Sequence, residues 1–443
     1  MKKILIAVLV SVLCAGLSFA GGREDSSQPQ KTITLRLWMG VPLESGPQAV
    51  VDAFNAEFKD KGIQVEYERY VNDDNGNLKL ETNLLAGSDI DIYASYGGLV
   101  RITKRASSGM ALDLTDLMKR DNFDALAILG ESAVNASLVN GKNFSLPSTL
   151  TKTSMLVNKD MFDKAGIPLP EEWTYEEFRE IAKKLTSGEG PDKVYGIYWN
   201  TQQNIYDVQA RMSARTLGGD WIYAPDGKST QLNNPVIVKT VELMNNTMNV
   251  DKTAPTHVDT ITQKLTMENM FLTGRAAIIA DNFPIRSVKD LKQYPHDFVT
   301  AFVPHPVIEK GKGQYTWAVY GDQISINPKS NNIDAAWEFI KWYITKGVVC
   351  MADGGRIGLA SILNKDEMLT RFFRGAENVI DIESAKKYYL YSPGDKLTPS
   401  TITTKAPEIQ KVMTEEMEAV FTGKKTPQQG MDDAKKRADG FMK

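Results

Sequence analysis

The chain has 443 residues, of which 42% are hydrophobic and 24% are charged, and its formal net charge is −3. These values are typical of globular proteins in water. Because the sequence contains no basic block, they argue against a nucleic-acid partner and against an anionic membrane surface. The length is sufficient for two or three domains that each bury a core of their own.

The first 20 residues have the pattern of a secretory signal peptide, with two lysines, an apolar run over residues 4–17 and small residues up to Ala20. The run is shorter than the ~20 residues of a membrane span, so cleavage is favoured over an uncleaved anchor. A lipid anchor at Cys14 is a further alternative. It is disfavoured because Leu13 stands where lipoprotein processing prefers a small residue. We therefore predict a cleaved protein that is exported to the periplasm.

The residues after the signal give two further predictions. Residues 21–31 are polar and are predicted to form a flexible leader. Without the two lysines of the signal, 55 acidic residues face 50 basic ones and the net charge is −5. Cys350 is then the one cysteine left, so no intramolecular disulfide can form even in an oxidising compartment. It follows two valines, which favours a buried, inert thiol over a nucleophile.

The segment after the leader alternates strand and helix patterns. "TITLRLWMG" and "IQVEYERY" alternate apolar and polar residues as strands do, and between them Val50, Phe54 and Phe58 recur at helical spacing. A further helix leads through "LLAGSDIDIYASY" into a third strand. This β-α-β-α-β order predicts an α/β fold with a mostly parallel sheet covered by helices.

Residues 158–178, "NKDMFDKAGIPLPEEWTYEEF", contain two helix starts but no catalytic set. Asn158 is placed to cap the first helix, Gly166 suits the left-handed position after it, and Thr174 with Glu177 forms a capping box for the next helix. Further on, residues 331–347 predict an amphipathic helix, and residues 408–443 predict two helices around "TGKKTPQQG". These segments are scaffold, so the chemistry must lie elsewhere.

A search for catalytic and metal-binding motifs gives little. The three histidines are far apart in the sequence, which favours surface or loop positions over a metal site. "APDGKST" lacks the leading glycine of a phosphate loop and is interpreted as a turn. Asp89 and Asp91 share one strand face and could serve a glycosidase, although polar residues at a strand end are the simpler interpretation. We predict no metal, no cofactor and no enzyme activity.

Aromatic residues stand beside Gly, Asn or Asp in four predicted loops. Flat rings suit the C–H faces of sugars, and polar side chains suit their hydroxyls. Core packing remains the better interpretation of any single ring, but the four clusters together favour a binding role for some of them: Trp38-Met39-Gly40, Tyr96-Gly97-Gly98, Tyr198-Trp199-Asn200 and Trp317-Ala318-Val319-Tyr320-Gly321.

With these residues in view, the sequence resembles the extracellular solute-binding proteins of ABC importers, in the large sugar-binding branch that includes maltose-binding protein. The resemblance covers nearly the whole chain after the signal. Its most specific stretch runs from "NGKNFSLPSTL" to "EEWTYEEFREIAKKL", and the others are "LLAGSDIDIYAS", "FLTGRAAIIADNFP", "ISINPKSNNIDAAWEFIKWYIT" and "VFTGKKTPQQGMDDA".

The resemblance implies a two-lobed periplasmic binding protein fold, with the ligand cleft between lobes joined by three hinge crossings, near 148–150, 319–323 and 366–371. Residues 32–148 plus 323–368 would form lobe 1, and residues 149–322 plus 369–443 would form lobe 2. The ligand-binding positions that it implies are Trp38, Glu44, Tyr96, Thr149, Trp199, Asp281, Trp317, Tyr320 and Arg356.

The implied function is a monomeric solute-binding protein that takes a sugar to the permease subunits of an ABC importer. The run after "AAII" has no tryptophan, and the C-terminal part lacks the stacking aromatic of oligosaccharide binders. These departures favour a mono- or disaccharide over maltose-like chains. The alternatives are a non-sugar solute such as a polyamine, glycerol phosphate or a peptide, a sensor subunit that serves a receptor, and a secreted carbohydrate-active enzyme using Asp89 and Asp91.

Overall fold

A computed structural model describes residues 32–201, 205–218, 222–224, 227–280, 285–390, 396–398 and 405–442. The predicted signal peptide and leader and the candidate Asp281 lie outside these residues. None of the helices within the described ranges is long and apolar enough to cross a bilayer.

The described residues form an α/β structure, as predicted. Its strands are β1 Ile33–Met39, β2 Ile63–Arg69, β3 Ile92–Ser95, β4 Leu138–Val139, β5 Lys142–Asn143, β6 Thr149–Lys152, β7 Met155–Asn158, β8 Ile278–Ile279, β9 Thr300–Val303, β10 Tyr315–Gly321, β11 Gln323–Ile326 and β12 Lys396–Thr398. Its helices are α1 Pro47–Glu57, α2 Asp74–Ala86, α3 Gly98–Ser107, α4 Thr115–Arg120, α5 Ala125–Leu129, α6 Glu131–Asn135, α7 Lys159–Lys164, α8 Tyr175–Leu185, α9 Ile205–Leu217, α10 Pro235–Asn245, α11 His257–Thr262, α12 Ile285–Lys289, α13 Ile333–Thr345, α14 Lys365–Phe373, α15 Ile382–Ala385, α16 Ala406–Phe421 and α17 Pro427–Asp439.

Lobe 1 is built around a four-stranded sheet in the order β11-β3-β1-β2. Strands β2 and β3 pair with β1 in parallel, which confirms the predicted parallel arrangement, and β11 joins the edge of β3 antiparallel. Along β1 the buried Leu35 and Leu37 flank the more exposed Arg36, the alternation on which the strand prediction was based. Helix α13 covers this sheet with Phe339, Ile340 and other apolar residues that are fully buried.

Lobe 2 is built around the sheet β8-β7-β9, in which both pairs are antiparallel. The helix caps predicted from residues 158–178 are present. The side chain of Asn158 accepts from the backbone N–H of Met161 at 3.1 Å, and Thr174 and Glu177 form the reciprocal capping box. A continuous apolar core joins this sheet to α8, α9, α10, α16 and α17.

The chain passes between the two sheets at neighbouring positions. Strand β6 pairs antiparallel with β10, so that Thr149 faces Gly321, and Leu146 bridges to Ile324 on the lobe 1 side. The third predicted crossing, residues 366–371, lies inside α14. The lobe boundaries given above, 32–148 plus 323–368 and 149–322 plus 369–443, stay predictions.

A second apolar core extends across both lobes on one side of the molecule. It contains the inner faces of β1 and α13, the 3₁₀ segment Gly347–Gly354 and, from lobe 2, Ile285 and Phe302. The buried Cys350 belongs to this core, and burial raises the pKa of its thiol, as expected of an inert cysteine. Lobe 1 and lobe 2 are therefore in apolar contact on this side of the molecule.

Candidate functional site: a cavity between the lobes

A cavity of about 600 Å³ lies between the two lobes, and both lobes and the crossing strands line it. This volume is within the usual range of small-molecule sites. Its lining is rich in charged and amide side chains: Asn72, Tyr96, Thr149, Thr151, Asn200, Asp207, Val208, Arg211, Thr266, Met267, Glu268, Ile285, Arg286, Val319, Gly321, Asp322, Gly354, Gly355, Arg356 and Tyr389.

The lobe 1 wall is formed where the parallel strands end. Gly40, Asn72 and Tyr96 follow the carboxyl ends of β1, β2 and β3, the edge at which open α/β sheets bind ligands. The Tyr96 hydroxyl accepts a hydrogen bond from the Gly40 backbone N–H at 3.1 Å. A Cβ at Gly40 would lie 2.9 Å from the Tyr96 ring and 3.1 Å from the Asn72 side chain. The absence of a side chain at Gly40 therefore lets both residues reach the wall.

An ion pair stands on the same wall beside the crossing. The Nε of Arg356 donates to the Asp322 carboxylate at 2.9 Å. Burial works against the charged guanidinium, but the adjacent carboxylate outweighs it and raises the pKa of Arg356 above its usual value. The Arg356 side chain is 30% exposed and that of Asp322 is 2% exposed. Arg356 thus presents hydrogen-bond donors to the cavity from a fixed base.

The lobe 2 wall carries charges of both signs. On α9, Arg211 lies 3.7 Å from Asp207, one helical turn before it, and its side chain is 6% exposed. Glu268 accepts a hydrogen bond from the Ser287 hydroxyl at 3.3 Å, and the exposed Arg286 stands next to that serine. Guanidinium groups donate and carboxylates accept, so this wall can bind hydroxyl groups in either role.

The floor of the cavity consists of the two crossing strands. Thr149 and Thr151 on β6 lie beside Val319 and Gly321 on β10. A Cβ at Gly321 would stand 2.9 Å from the Thr149 hydroxyl oxygen, so the strands approach closely there because residue 321 has no side chain. A solute in this cavity would therefore contact the crossing strands directly.

The cavity lies between two α/β lobes, opens at strand ends and has the crossing strands as its floor. This arrangement agrees with the family to which the sequence is matched. The family model of the bacterial extracellular solute-binding protein matches residues 41–349. The chain belongs to this family. It is a family of binding proteins that are periplasmic or extracellular, and it works with ABC transporter permeases.

Relatives of this solute-binding protein differ in the solutes for which they are named. A putative binding protein of Brucella abortus is 24% identical over 97% of this chain and 98% of its own. The maltotriose-binding protein of Pyrococcus abyssi is 27% identical over 69% of this chain and 62% of its own. The sn-glycerol-3-phosphate-binding periplasmic protein of Yersinia pseudotuberculosis is 24% identical over 68% of each chain.

Solved structures share the fold. The ABC substrate-binding protein of Listeria monocytogenes in complex with cycloalternan superposes with a TM-score of 0.71 at 20% identity, covering 93% of this chain and 99% of that one. A sugar transporter protein of Rhizobium etli in an open conformation gives 0.72 at 21% identity, covering 92% and 99%. This solute-binding protein therefore has the two-lobed periplasmic binding fold.

Three of the nine positions implied by the sequence line the cavity of this solute-binding protein. They are Tyr96, Thr149 and Arg356, one from each of three different segments. Asp281 lies outside the described residues. The other five positions are on the described part of the chain but do not line the cavity.

Trp199 requires a correction, because the structure places its ring away from the cavity. It is 1% exposed in the lobe 2 core, where its indole nitrogen donates to the Thr247 hydroxyl at 2.8 Å and its ring packs 5.7 Å from that of Phe178. The neighbouring Asn200 faces the cavity instead. A buried ring with its polar atom satisfied offers no surface to a solute.

The remaining four positions also lie elsewhere. Trp38 is 7% exposed, with the ammonium of Lys79 5.1 Å from its ring centroid, and Glu44 is exposed outside the cavity lining. Trp317 and Tyr320 lie on the crossing strand β10, and both are half-buried. Trp317 lines a small adjacent pocket together with His305.

The sequence reasoning missed most of the charged lining. Asp207 and Arg211 lie one turn apart on a helix, and Asp322 lies between two strands. Charged residues are common at such positions in any α/β chain, so nothing in the sequence marked them as lining residues. A usable signal existed for Asn72, because it follows the end of a parallel strand just as Tyr96 does.

The carboxylate pair considered for a glycosidase is outside the site. Asp91 is 4% exposed and accepts from the backbone N–H of Arg36 at 2.8 Å and from the side chain of Asn332 at 3.2 Å, while Asp89 is exposed near Arg36. Neither lines the cavity. Within the described ranges, no group of three or more His, Cys, Asp or Glu side chains is placed to hold a metal ion.

Proposed function

We propose that this solute-binding protein binds a short sugar, a mono- or disaccharide, in the cavity between its lobes and delivers it to an ABC permease. The observation that carries the proposal is the set of donors and acceptors that converge on one cavity from both lobes, with Asn72, Tyr96 and Arg356 on one side and Asn200 and Glu268 on the other. A hydroxyl group both donates and accepts, so a sugar can use both kinds of partner.

The small number of aromatic faces supports a short sugar over a long one. Among the described lining residues, only Tyr96 and Tyr389 carry aromatic rings. Each sugar unit of a chain presents an apolar face that gains from stacking on a ring. A lining of charges and amides with two tyrosines suits a solute with many hydroxyls and few apolar faces.

A second candidate solute is glycerol phosphate, for which a Yersinia relative is named. Arg211, Arg286 and Arg356 bring three guanidinium groups to the cavity, and this group matches phosphate oxygens in pairs. Asp207, Glu268 and Asp322 balance these charges, which favours a neutral polyol over a dianion. Polyamines and peptides have no comparable support.

Transport would follow from closure of the lobes around the solute. Contacts to both walls are complete only when the lobes close, so the solute shifts the population toward the closed state. Closure would present one combined surface to the permease. The proposal includes a monomer that binds without altering its solute, exported with its signal peptide removed.

A thermal-shift screen tests the solute class. The panel contains mono-, di- and oligosaccharides, glycerol 3-phosphate, spermidine and a tripeptide, each also tested against Arg356→Met. A solute at 100 times its dissociation constant should stabilise the protein by about 2.7 kcal/mol, and this shift should be lost in the variant. Stabilisation by glycerol 3-phosphate alone would select the second candidate. No response to any sugar would overturn the sugar proposal.

The transport role needs a separate experiment in the native organism. Deleting the permease genes should abolish uptake of the identified solute while the binding protein still binds it. Normal uptake with loss of a behavioural or transcriptional response would instead assign the protein to a receptor. Release of reducing sugar from a glycan by the purified protein would contradict a purely binding role.

A further inference from the structure

Asp322 has a backbone conformation that is unusual for its surroundings. Its φ is 44°, in the left-handed region that residues with a side chain rarely adopt. The other non-glycine residues with positive φ in the described ranges are all exposed, namely Asn122, Asn140, Lys252 and Lys264. Asp322 is 2% exposed and lies between β10 and β11.

A glycine would adopt this conformation without strain, and glycine already occupies the preceding position, Gly321. Left-handed backbone at a non-glycine residue carries a cost in conformational free energy and is retained where the surrounding structure enforces it. The side chain of Asp322 must therefore have a use that offsets this cost. That use is its ion pair with Arg356, whose guanidinium faces the cavity.

The backbone of Asp322 is connected to the same arginine by a second route. The Ser148 hydroxyl donates to the carbonyl oxygen of Asp322 at 3.0 Å, and the Ser148 N–H donates to that of Gly321 at 3.2 Å. Two residues further on, the Leu150 N–H donates to the carbonyl oxygen of Ile357 at 2.9 Å. The two crossings and the segment that carries Arg356 thus form one hydrogen-bonded unit.

We infer that Asp322 is a positioning residue of the solute site, which holds Arg356 toward the cavity through its carboxylate and sets the crossing angle through its left-handed backbone. A solute that binds Arg356 would then act directly on the crossing, and a change of the crossing would move Arg356. The solute in this inference depends on the proposed function, whereas the geometric role of Asp322 does not.

Three variants separate the roles of the side chain and the backbone. Asp322→Asn keeps a residue that tolerates left-handed backbone and removes the charge. Asp322→Gly keeps the backbone conformation accessible and removes the side chain. Asn140→Gly is the matched control, because it makes the same backbone change at an exposed position of lobe 1. Circular dichroism and thermal melting confirm that each variant folds.

Two measurements need no solute. The side-chain Nε–H signal of Arg356 in nuclear magnetic resonance, assigned with Arg356→Lys, should lose its protection from solvent exchange in Asp322→Gly. It should lose part of it in Asp322→Asn, whose amide oxygen still accepts without a charge, and keep it in Asn140→Gly. Spin labels on Lys119→Cys and Lys184→Cys, exposed positions on the two lobes, should give a broader distance distribution in Asp322→Gly than in Asp322→Asn.

The third measurement is a calorimetric titration of each protein with maltose. If the natural protein binds maltose, Asp322→Asn should weaken binding at least tenfold and Asn140→Gly should leave it unchanged. Equal affinity of Asp322→Asn and the natural protein, or an unchanged Arg356 signal, would overturn the inference. If the natural protein does not bind maltose, the sugar proposal is weakened, whereas the two solute-free measurements still decide the role of Asp322.

Discussion

The indole nitrogen of Trp199 donates a hydrogen bond to the Thr247 hydroxyl at 2.8 Å, inside the core of lobe 2. Thr247 lies in the π-helical turn Asn246–Val250 after α10, and the Ile197 N–H donates to the carbonyl oxygen of Thr253 just beyond that turn at 3.1 Å, which holds the two segments together. This buried contact indicates that Trp199 stabilises lobe 2 and does not bind the solute. The solute then has to be recognised by the side chains that do line the cavity.

We expect Trp199→Phe to destabilise the protein without weakening solute binding. Loss of the buried hydrogen bond and of part of the ring should cost about 1–3 kcal/mol, measured by urea denaturation. The dissociation constant of the identified solute should stay within a factor of two. Arg356→Met should weaken binding, and it should also destabilise the protein because the buried Asp322 carboxylate loses its partner. A large loss of affinity in Trp199→Phe would contradict the assignment.

The sequence predicted the elements whose signals are local. The caps at Asn158 and Thr174 depend on residues three positions apart, and the parallel sheet of lobe 1 follows from strand and helix periods in order. The position of Trp199 could not be predicted in this way, because its partner Thr247 is 48 residues away. Asp322 and Arg356 are 34 residues apart, and no periodic pattern connects them.

The loop positions show the same limit. Aromatic residues beside glycines were predicted to face the solute, and Tyr96 does line the cavity while Trp38 does not. Both residues lie near the carboxyl ends of parallel strands. Trp38 is still inside β1 and is turned into the core with Leu80 and Tyr93, whereas Tyr96 follows the last residue of β3. A difference of one or two positions along a strand therefore determines whether an aromatic side chain packs in the core or lines the cavity.

We expect Gly40→Ala to weaken solute binding although residue 40 itself carries no functional group. The added methyl group would press on the Tyr96 ring at 2.9 Å and on Asn72 at 3.1 Å, which displaces two lining residues. Affinity should fall about tenfold or more, because misplaced groups lose their hydrogen bonds to the solute. Calorimetry measures the affinity, and Tyr96→Phe is the comparison because it removes only the hydroxyl. Unchanged affinity in Gly40→Ala would mean that the wall is more adaptable than its packing indicates.

Lys289 connects the lobes, and its removal should loosen them. From α12 of lobe 2, its Nζ donates to the backbone carbonyls of Ala352 at 3.3 Å and Arg371 at 3.0 Å, and also to that of Phe372. Lys289→Met would remove a donor from each of these carbonyls, although that of Ala352 still accepts from the Gly355 N–H at 2.9 Å. The expected cost is about 2 kcal/mol, measured by urea denaturation at pH 7. Lys292→Met, an exposed change nearby, is the control and should be neutral.

The same lysine should make stability depend on alkaline pH. Burial lowers the pKa of Lys289 to about 8, below its value in the unfolded chain, so the folded protein releases its proton first. The contribution of Lys289 to the free energy of unfolding therefore increases as the pH rises above 8, by about 1 kcal/mol at pH 9. The difference in unfolding free energy between the natural protein and Lys289→Met should grow by that amount from pH 7 to pH 9. A constant difference would refute the lowered pKa.

His305 should make the protein sensitive to mild acid. It is 3% exposed next to the small pocket at Trp317, its Nε2 lies 3.3 Å from the carbonyl oxygen of Ala280, and burial lowers its pKa to about 3. The nearby guanidinium groups of Arg211 and Arg215 further disfavour a charged imidazole.

Because the folded pKa of His305 lies below the unfolded value near 6.5, the unfolded chain takes up a proton that the folded chain excludes. Stability from the neutral imidazole is complete above pH 6.5 and falls as the pH drops toward 3, with a loss of about 2 kcal/mol at pH 5. His305→Gln cannot titrate but keeps an N–H donor for Ala280, so its unfolding free energy should fall less between pH 7 and pH 5. Urea denaturation at both pH values measures the difference. Parallel losses in the two proteins would show that carboxylates elsewhere, and not His305, set the acid sensitivity.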